Sequence, residues 1–155
     1  MMRLGFKKPQ PKSFWQKMIA WKTNSPYAHV ELFFSNGQSF SASEYDKGIR
    51  FKKAEDVLAS GEWDFIDLPE LDAYEPACYE WARRADGLPY DWSEITSFVI
   101  ARHRDNPNEY ICSTASLLPL KLGAQVLADC KFPFFSPYDL YVGISAWKSA
   151  RQWKG

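Results

Sequence analysis

The strongest constraint on the fold is a β-hairpin pattern between residues 27 and 44. Polar and apolar residues alternate on both sides of Asn36-Gly37, a dipeptide that favours a tight turn between antiparallel strands. Other patterns predict strands at residues 48–51 and 62–68, helices at 13–22, 72–85, 112–122 and from 91 onward, and a terminal strand or turn at 141–144. This mixture predicts an α+β fold in which a small antiparallel β-sheet packs against helices.

The loop length of this hairpin decides which side chains share a face of the sheet. A three-residue loop that ends in a left-handed Gly37 pairs Leu32 with Phe40 and separates an apolar face from a polar one. A two-residue turn sets His29 opposite Glu44 and pairs apolar residues with serines. We favour the three-residue loop, because a buried sheet face requires its apolar residues to lie together. The polar face then holds Tyr27, His29, Glu31, Ser41 and Ser43.

The length of the chain predicts a single domain. It has 155 residues, of which 46% are hydrophobic, and this is enough for one packed core. Residues 1–12 contain Pro9 and Pro11 among lysines and predict an irregular basic lead-in. Basic residues dominate positions 1–30 and acidic residues dominate positions 55–94, which predicts a basic edge and an acidic face on one molecule.

The charge and the cysteines exclude several classes of protein. The formal net charge is zero, so no nucleic-acid partner is expected, although the basic end leaves contact with a membrane open. Cys78, Cys112 and Cys130 are odd in number and lack CxxC spacing, which predicts neither a disulfide framework nor a metal site, and no cofactor is expected. The chain shows no signal peptide and no membrane-spanning run, so we expect a cytoplasmic protein.

Cys112 is the candidate nucleophile. It follows the strand-like Tyr110-Ile111 and begins a predicted helix. The positive end of the helix dipole and the free N–H groups of the first turn favour a thiolate. The same N–H groups are suited to an oxyanion hole. The alternative interpretation is a small buried residue at the start of a helix.

His29 is the candidate base. It lies in an otherwise apolar strand and is one of two histidines in the chain. A thiol nucleophile needs a base within hydrogen-bonding reach, and the base needs a partner that orients its ring. Glu31, Ser41 and Ser43 on the same face are candidate partners. The alternative interpretation is a structural histidine whose hydrogen bonds are satisfied within the sheet.

Five short segments, taken in order, are similar to the permuted branch of the NlpC-type papain-like fold. Proteins described as YiiX-like belong to that branch, and the lecithin–retinol acyltransferase group is a more distant relative. In this branch the histidine strand precedes the cysteine helix. The segments are Thr23-Asn24-Ser25-Pro26-Tyr27-Ala28-His29-Val30-Glu31, Gly48-Ile49-Arg50-Phe51, Gly87-Leu88-Pro89-Tyr90-Asp91, Tyr110-Ile111-Cys112-Ser113 and Ser136-Pro137-Tyr138-Asp139-Leu140.

The resemblance implies that Cys112 is the nucleophile and His29 the general base. The family often has a glutamate or histidine on the next strand as the third catalytic residue, and that position here is Ser41. Glu31 and Glu44 are the alternatives for orienting His29. Tyr27, Glu31 and Ser43 are the expected binding residues, because they share the face of His29.

The activity implied by the resemblance is hydrolysis of peptide or cell-wall peptide amides through a thioester acyl-enzyme. The expected partner is therefore a peptide or a peptidoglycan-type substrate. One alternative is lipid acyl hydrolysis or transfer, with Phe132, Phe134 and Phe135 as a membrane-facing patch. Another is a binding module without catalysis, which Ser41 favours because serine brings no charge to the third position.

Overall fold

The computed structural model describes residues 1–10, 25–43, 45–89, 111–129 and 136–152. Several predictions concern residues outside these ranges. They are the helices at 13–22 and from 91 onward, the alternative orienting residue Glu44, the thiol of Cys130, and the patch of Phe132, Phe134 and Phe135.

The described residues form a five-stranded antiparallel sheet with the strand order β4-β3-β2-β1-β5. The strands are β1 (Arg3–Lys7), β2 (His29–Phe33), β3 (Gln38–Ser43), β4 (Gly48–Lys53) and β5 (Trp63–Asp67). One face of the sheet supplies large side chains to the core, among them Leu4, Phe6, Val30, Leu32 and Phe40. The strands predicted at 48–51 and 62–68 are confirmed as β4 and β5.

Helices complete the α+β fold that the sequence predicts. They are α1 (Ala54–Leu58), a 3-10 helix (Pro69–Tyr74), α2 (Glu75–Ala85), α3 (Cys112–Ala124) and α4 (Pro137–Gln152). Helix α3 lies against β2, β3 and α2, so the segment that begins with Cys112 packs on the hairpin that contains His29. In the described part of the chain, no helix combines the length and apolar character needed to cross a membrane.

The favoured hairpin register is confirmed. Leu32 is the partner of Phe40, as the separation of apolar and polar faces required. The loop closes through two hydrogen bonds, from the N–H of Phe34 to the Gln38 carbonyl at 2.9 Å and from the N–H of Gly37 to the Phe34 carbonyl at 3.2 Å. Gly37 has a φ of 81°, a left-handed conformation that glycine adopts without strain.

The prediction of an irregular lead-in at residues 1–12 is wrong for Arg3–Lys7. These residues form β1, which lies between β2 and β5. Leu4 and Phe6 are fully buried, and the alternate residues Arg3, Gly5 and Lys7 lie on the other face of the sheet. The short alternating pattern becomes a strand because it finds partners far along the chain on both sides.

The basic start of the chain contacts the acidic segment directly. The N-terminal ammonium group of Met1 lies 3.7 Å from the Asp72 carboxylate. The Nζ of Lys8 lies 3.5 Å from the Asp64 carboxylate. In the described part of the chain, the expected basic edge and acidic face are therefore neighbours that partly neutralise each other.

The terminal strand or turn predicted at 141–144 is also wrong, because these residues lie inside α4. Leu140 and Ile144 are both fully buried, and Trp147 packs against the same core. This spacing of four and then three residues places all three side chains on one helical face. Helical periodicity therefore outweighs the strand propensity of Tyr141, Val142 and Ile144.

Helices α2 and α3 approach closely where Gly123 contacts Cys78. A Cβ atom on Gly123 would lie 2.6 Å from the Cys78 backbone nitrogen and 2.9 Å from the Ala77 carbonyl carbon. Cys78 is fully buried. Helix α3 continues past Pro119 as far as Ala124, so it reaches this contact.

Replacing Gly123 by alanine should destabilise the protein. The added methyl group requires a backbone shift, and such overpacking costs about 1–3 kcal/mol, against a gain of about 1 kcal/mol in helix propensity. Urea unfolding measures the difference. Leu122→Ala is the matched control, because Leu122 is 40% exposed on the same helix. A Gly123→Ala variant as stable as this control would show that α2 and α3 are less closely packed.

Candidate active site

The polar face of β2 brings His29 and Glu31 into direct contact. Residues two apart on a strand point to the same side of the sheet, and the Nε2 of His29 lies 2.8 Å from the Glu31 Oε1. The Glu31 side chain is 1% exposed and the His29 side chain is 20% exposed. The carboxylate is thus buried beneath the ring, while one edge of the ring remains accessible.

Cys112 lies on the other side of the His29 ring. It is the first residue of α3, it is buried, and its side chain is hydrogen bonded to His29. Because Glu31 occupies Nε2, Nδ1 is the ring nitrogen that remains for the sulfur. The structure therefore brings together the two residues that the sequence predicted as nucleophile and base.

The surroundings of His29 favour its protonated form. Burial by itself lowers the pKa, but the negative charge and hydrogen bond of Cys112, together with those of Glu31, raise the pKa of His29 to about 9. At neutral pH the ring is then an imidazolium that donates to Glu31 with one nitrogen and to the sulfur with the other.

Arg50 on β4 binds both carboxylate oxygens of Glu31. Its Nη1 and Nη2 lie 2.9 Å and 2.6 Å from the two carboxylate oxygens of Glu31. Its Nε donates to the Asp46 carboxylate at 2.9 Å, and Lys52 contacts the same Asp46 oxygen at 2.7 Å. His29, Glu31, Arg50 and Asp46 therefore form a chain of alternating charges that runs from the sulfur to the surface.

These bonds keep Glu31 ionised. Burial would raise the pKa of the carboxyl group, but hydrogen bonds and charges from His29 and Arg50 outweigh it and lower the pKa to about 2. A carboxylate with so low a pKa does not accept the proton of His29 at neutral pH. Its chemical contribution is to orient the ring and to balance the charge of the imidazolium.

The structure corrects the place predicted for Ser41. Its hydroxyl donates to the Val30 carbonyl at 2.7 Å and approaches the Cys112 carbonyl at 3.5 Å, while Glu31 contacts the His29 ring. Ser116 on α3 donates to the same Val30 carbonyl at 3.3 Å. Ser41 and Ser116 therefore attach the start of α3 to β2. Of the three residues left open for orienting His29, Glu31 is the one in contact with the ring.

The backbone that leads into the first turn of α3 is held in one conformation. Ile111 is extended, with φ −91° and ψ 170°, and its side chain makes no cap hydrogen bond. The hydroxyl of Thr114, the third residue of α3, accepts from the Ile111 N–H at 3.2 Å and connects the first turn to the residue before the helix. Because an isoleucine side chain has no acceptor, it does not cap the first turn of α3.

Tyr27 does not share the face of His29 as expected, because its ring packs in the core, 5.4 Å from the Phe6 ring. The Tyr27 hydroxyl donates to the Asp64 carboxylate at 2.9 Å, and its ring packs 5.2 Å from the Tyr141 ring. Burial, followed by the bond to Asp64, raises the pKa of Tyr27. Ser43 ends β3 opposite Gly48. The binding roles of Tyr27 and Ser43 remain predictions.

Arg50 is the residue that sequence reasoning missed. The signal was present, because the predicted strand at 48–51 pairs with β3 and sets Arg50 directly opposite Ser41. A buried carboxylate beside a histidine also requires a second cation for its remaining lone pairs. Arginine on the adjacent strand meets that requirement with two parallel hydrogen bonds.

Within the described ranges, no group of three or more metal-ligating side chains is close enough together to hold a metal ion. No protein-family model matches the chain, and no curated protein matches its sequence. Inference about function therefore rests on the geometry of Cys112, His29 and Glu31.

Proposed function

We propose that this protein is a cysteine hydrolase with a permuted papain-like arrangement, acting on peptide or cell-wall peptide amides. The observation that supports it is the position of His29, which lies between the Cys112 side chain and the buried pair of Glu31 and Arg50. A nucleophile, a base and a group that orients the base form the minimum set for thiol catalysis. The histidine strand also precedes the cysteine helix, which is the permuted order.

The reaction begins with the thiolate of Cys112 attacking the carbonyl carbon of the scissile amide. The N–H groups of the first turn of α3 stabilise the oxyanion of the tetrahedral intermediate. The imidazolium of His29 gives its proton to the leaving amine, the C–N bond breaks, and a thioester forms. Neutral His29 then takes a proton from water, the resulting hydroxide attacks the thioester, and the acid leaves as the thiolate is restored.

Glu31 and Arg50 serve this cycle without exchanging protons. Glu31 holds the Nε2–H of His29, so that Nδ1 faces the sulfur in both halves of the reaction. Arg50 keeps Glu31 ionised and fixes both of its oxygens. Such support matters because small errors in the placement of a base are costly for rate.

Neither alternative function gains a specific observation. The phenylalanines that would support lipid acyl chemistry lie outside the described residues. Ser41 as the partner of His29 favoured a binding module, because serine brings no charge, but Glu31 supplies that charge. A cytoplasmic setting suits the proposal, because a nucleophilic thiol must stay reduced and both Cys78 and Cys112 are free.

Iodoacetamide should alkylate Cys112 much faster than Cys78. Cys78 is fully buried, and burial raises its pKa to about 11, whereas Cys112 contacts an imidazolium. The rate at Cys112 should stay high down to mildly acidic pH, and His29→Ala should lower it by about one to two orders of magnitude at pH 6. Peptide mass spectrometry gives the rate at each cysteine.

Cys78 in the same molecule is the internal control, because its alkylation rate reports the reagent concentration and any unfolding of the protein. The proposal fails if Cys112 reacts no faster than Cys78, or if the rate and pH profile at Cys112 are the same in the His29→Ala variant.

A further inference from the structure

A row of three side chains extends from the proposed catalytic pair across the sheet. Lys7 on β1 is the direct partner of His29 on β2 and of Trp63 on β5, so all three side chains lie on one face. The ring centroids of His29 and Trp63 are 6.3 Å apart. The Nζ of Lys7 lies 5.7 Å from the centroid of the Trp63 ring.

Lys7 is a buried cation with a neutral hydrogen-bond partner. The residue is 8% exposed, and its Nζ donates to the Ser60 hydroxyl at 2.8 Å. Burial lowers the pKa of Lys7, and the more distant charge of Glu31 opposes this only in part. Glu31 itself is bonded to His29 and Arg50, so among the described residues Lys7 has no carboxylate in direct contact.

Neighbouring residues restrict the position of the Lys7 side chain. Its stem passes across Gly61, where a Cβ atom would lie 2.8 Å from the Lys7 Cε. Any larger residue at position 61 would displace the ammonium group from its place beside Trp63. The absence of a side chain there thus lets a long cationic side chain lie flat along the sheet.

Trp63 adds a second donor to this row. Its indole Nε1–H is buried and has no hydrogen-bond partner in the described part of the chain. A buried donor without a partner costs about 1–3 kcal/mol. An acceptor that arrives with a ligand would remove that cost, and an anionic acceptor would also supply the counter-charge that Lys7 lacks.

We propose that Lys7 and Trp63 form an anion-binding subsite for a carboxylate that the substrate carries next to the scissile amide. The inference rests on the proposed function and narrows its substrate class to amides with a neighbouring free carboxylate. Lys7 is directly opposite His29 in the sheet, so a carboxylate bound there would lie on the same face of the sheet as the ring that contacts Cys112. Charge attraction and one or two hydrogen bonds then select acidic over neutral substrates.

Two alkylating agents of nearly the same shape test the subsite without a known substrate. Iodoacetate is anionic and iodoacetamide is neutral, so the ratio of their rates at Cys112 reports the field of nearby cations. Lys7→Met should lower the ratio of iodoacetate to iodoacetamide by about threefold to tenfold at pH 7. The iodoacetamide rate should change little, because Cys112, His29 and Glu31 remain in place.

Lys8→Met is the matched control. It removes the same charge from the adjacent position, where the side chain is 46% exposed and pairs with Glu62 and Asp64, and it should leave the ratio near the wild-type value. Lys7→Gln is a second variant that keeps a donor for Ser60 and should lower the ratio as Lys7→Met does.

The outcomes separate this proposal from the one on which it rests. Equal ratios in wild type, Lys7→Met and Lys7→Gln, with Cys112 still reactive toward iodoacetamide, overturn the subsite and leave the hydrolase proposal intact. An equal fall in Lys8→Met overturns it too, because general surface charge then explains the effect. A Cys112 that reacts with neither reagent overturns both proposals.

Discussion

Replacing Glu31 by glutamine should destabilise the protein by about 3 kcal/mol at pH 7, the lower end of the cost of breaking a buried ion pair. Glutamine keeps the shape of Glu31 but leaves the guanidinium of Arg50 and the imidazolium of His29 without a shared anion. The Asp46 carboxylate still contacts Arg50, which limits the loss. Urea unfolding gives the free energy, and the alkylation rate at Cys112 should fall in the same variant because the His29 ring is no longer held.

Glu62→Gln is the control for this substitution. The Glu62 side chain is 83% exposed and lies 3.8 Å from Lys8, so its loss should cost under about 0.5 kcal/mol. The double variant Glu31→Leu/Arg50→Met should recover part of the stability, because apolar groups of similar volume replace the whole pair. If Glu31→Gln costs no more than Glu62→Gln, the ion pair of Glu31 and Arg50 is not formed in solution.

The difference in unfolding free energy between wild type and Glu31→Gln should decrease at acidic pH. The pKa of Glu31 is about 2 in the folded chain and 4.5 ordinarily, so its stabilisation is present above pH 4.5 and is lost as the pH falls toward 2. The gap in unfolding free energy between wild type and Glu31→Gln should therefore be widest near neutral pH and should narrow below pH 4.5. A gap that is unchanged at pH 3 would contradict the low pKa of Glu31.

Local pattern was enough to place the hairpin and the two candidate catalytic residues, His29 and Cys112. The alternation around Leu32 and Phe40 admits one register with a clean apolar face, and Gly37 permits the left-handed turn that this register needs. Cys112 begins a helix whose small residues, Ala115 and Ser116, let it lie against the sheet. These features depend on residues close in sequence, so single-sequence reasoning reaches them.

What was missed depends on partners that are distant in the chain. Arg3–Lys7 is too short and too basic to indicate a central strand by itself, and its partner β5 lies far along the chain, at Trp63–Asp67. The choice of Glu31 over Ser41 as the partner of His29 depends on Arg50, which makes a buried carboxylate tolerable. Neither the central position of β1 nor the choice of Glu31 can be predicted until the order of the strands is known.

His29 should titrate with a pKa of about 9 in the folded protein, well above its ordinary value of 6.5. The chain has two histidines, so NMR resolves two imidazole titrations, and a His103→Gln variant identifies the one that belongs to His29. Cys112→Ala should lower the pKa of His29, because it removes the negative charge and hydrogen bond that oppose burial. Cys78→Ala is the matched control and should leave the pKa of His29 at about 9.

The same titration predicts a loss of stability at alkaline pH. Because the pKa of His29 is raised on folding, its stabilisation is fully present below pH 6.5 and is lost as the pH rises through 9. Wild type should therefore lose unfolding free energy between pH 6.5 and 9, and Cys112→Ala should lose less over that interval. A His29 that titrates near 6.5, or one whose pKa is unaffected by Cys112→Ala, would mean that no ion pair of thiolate and imidazolium forms. The proposed mechanism begins from that ion pair and would then be wrong.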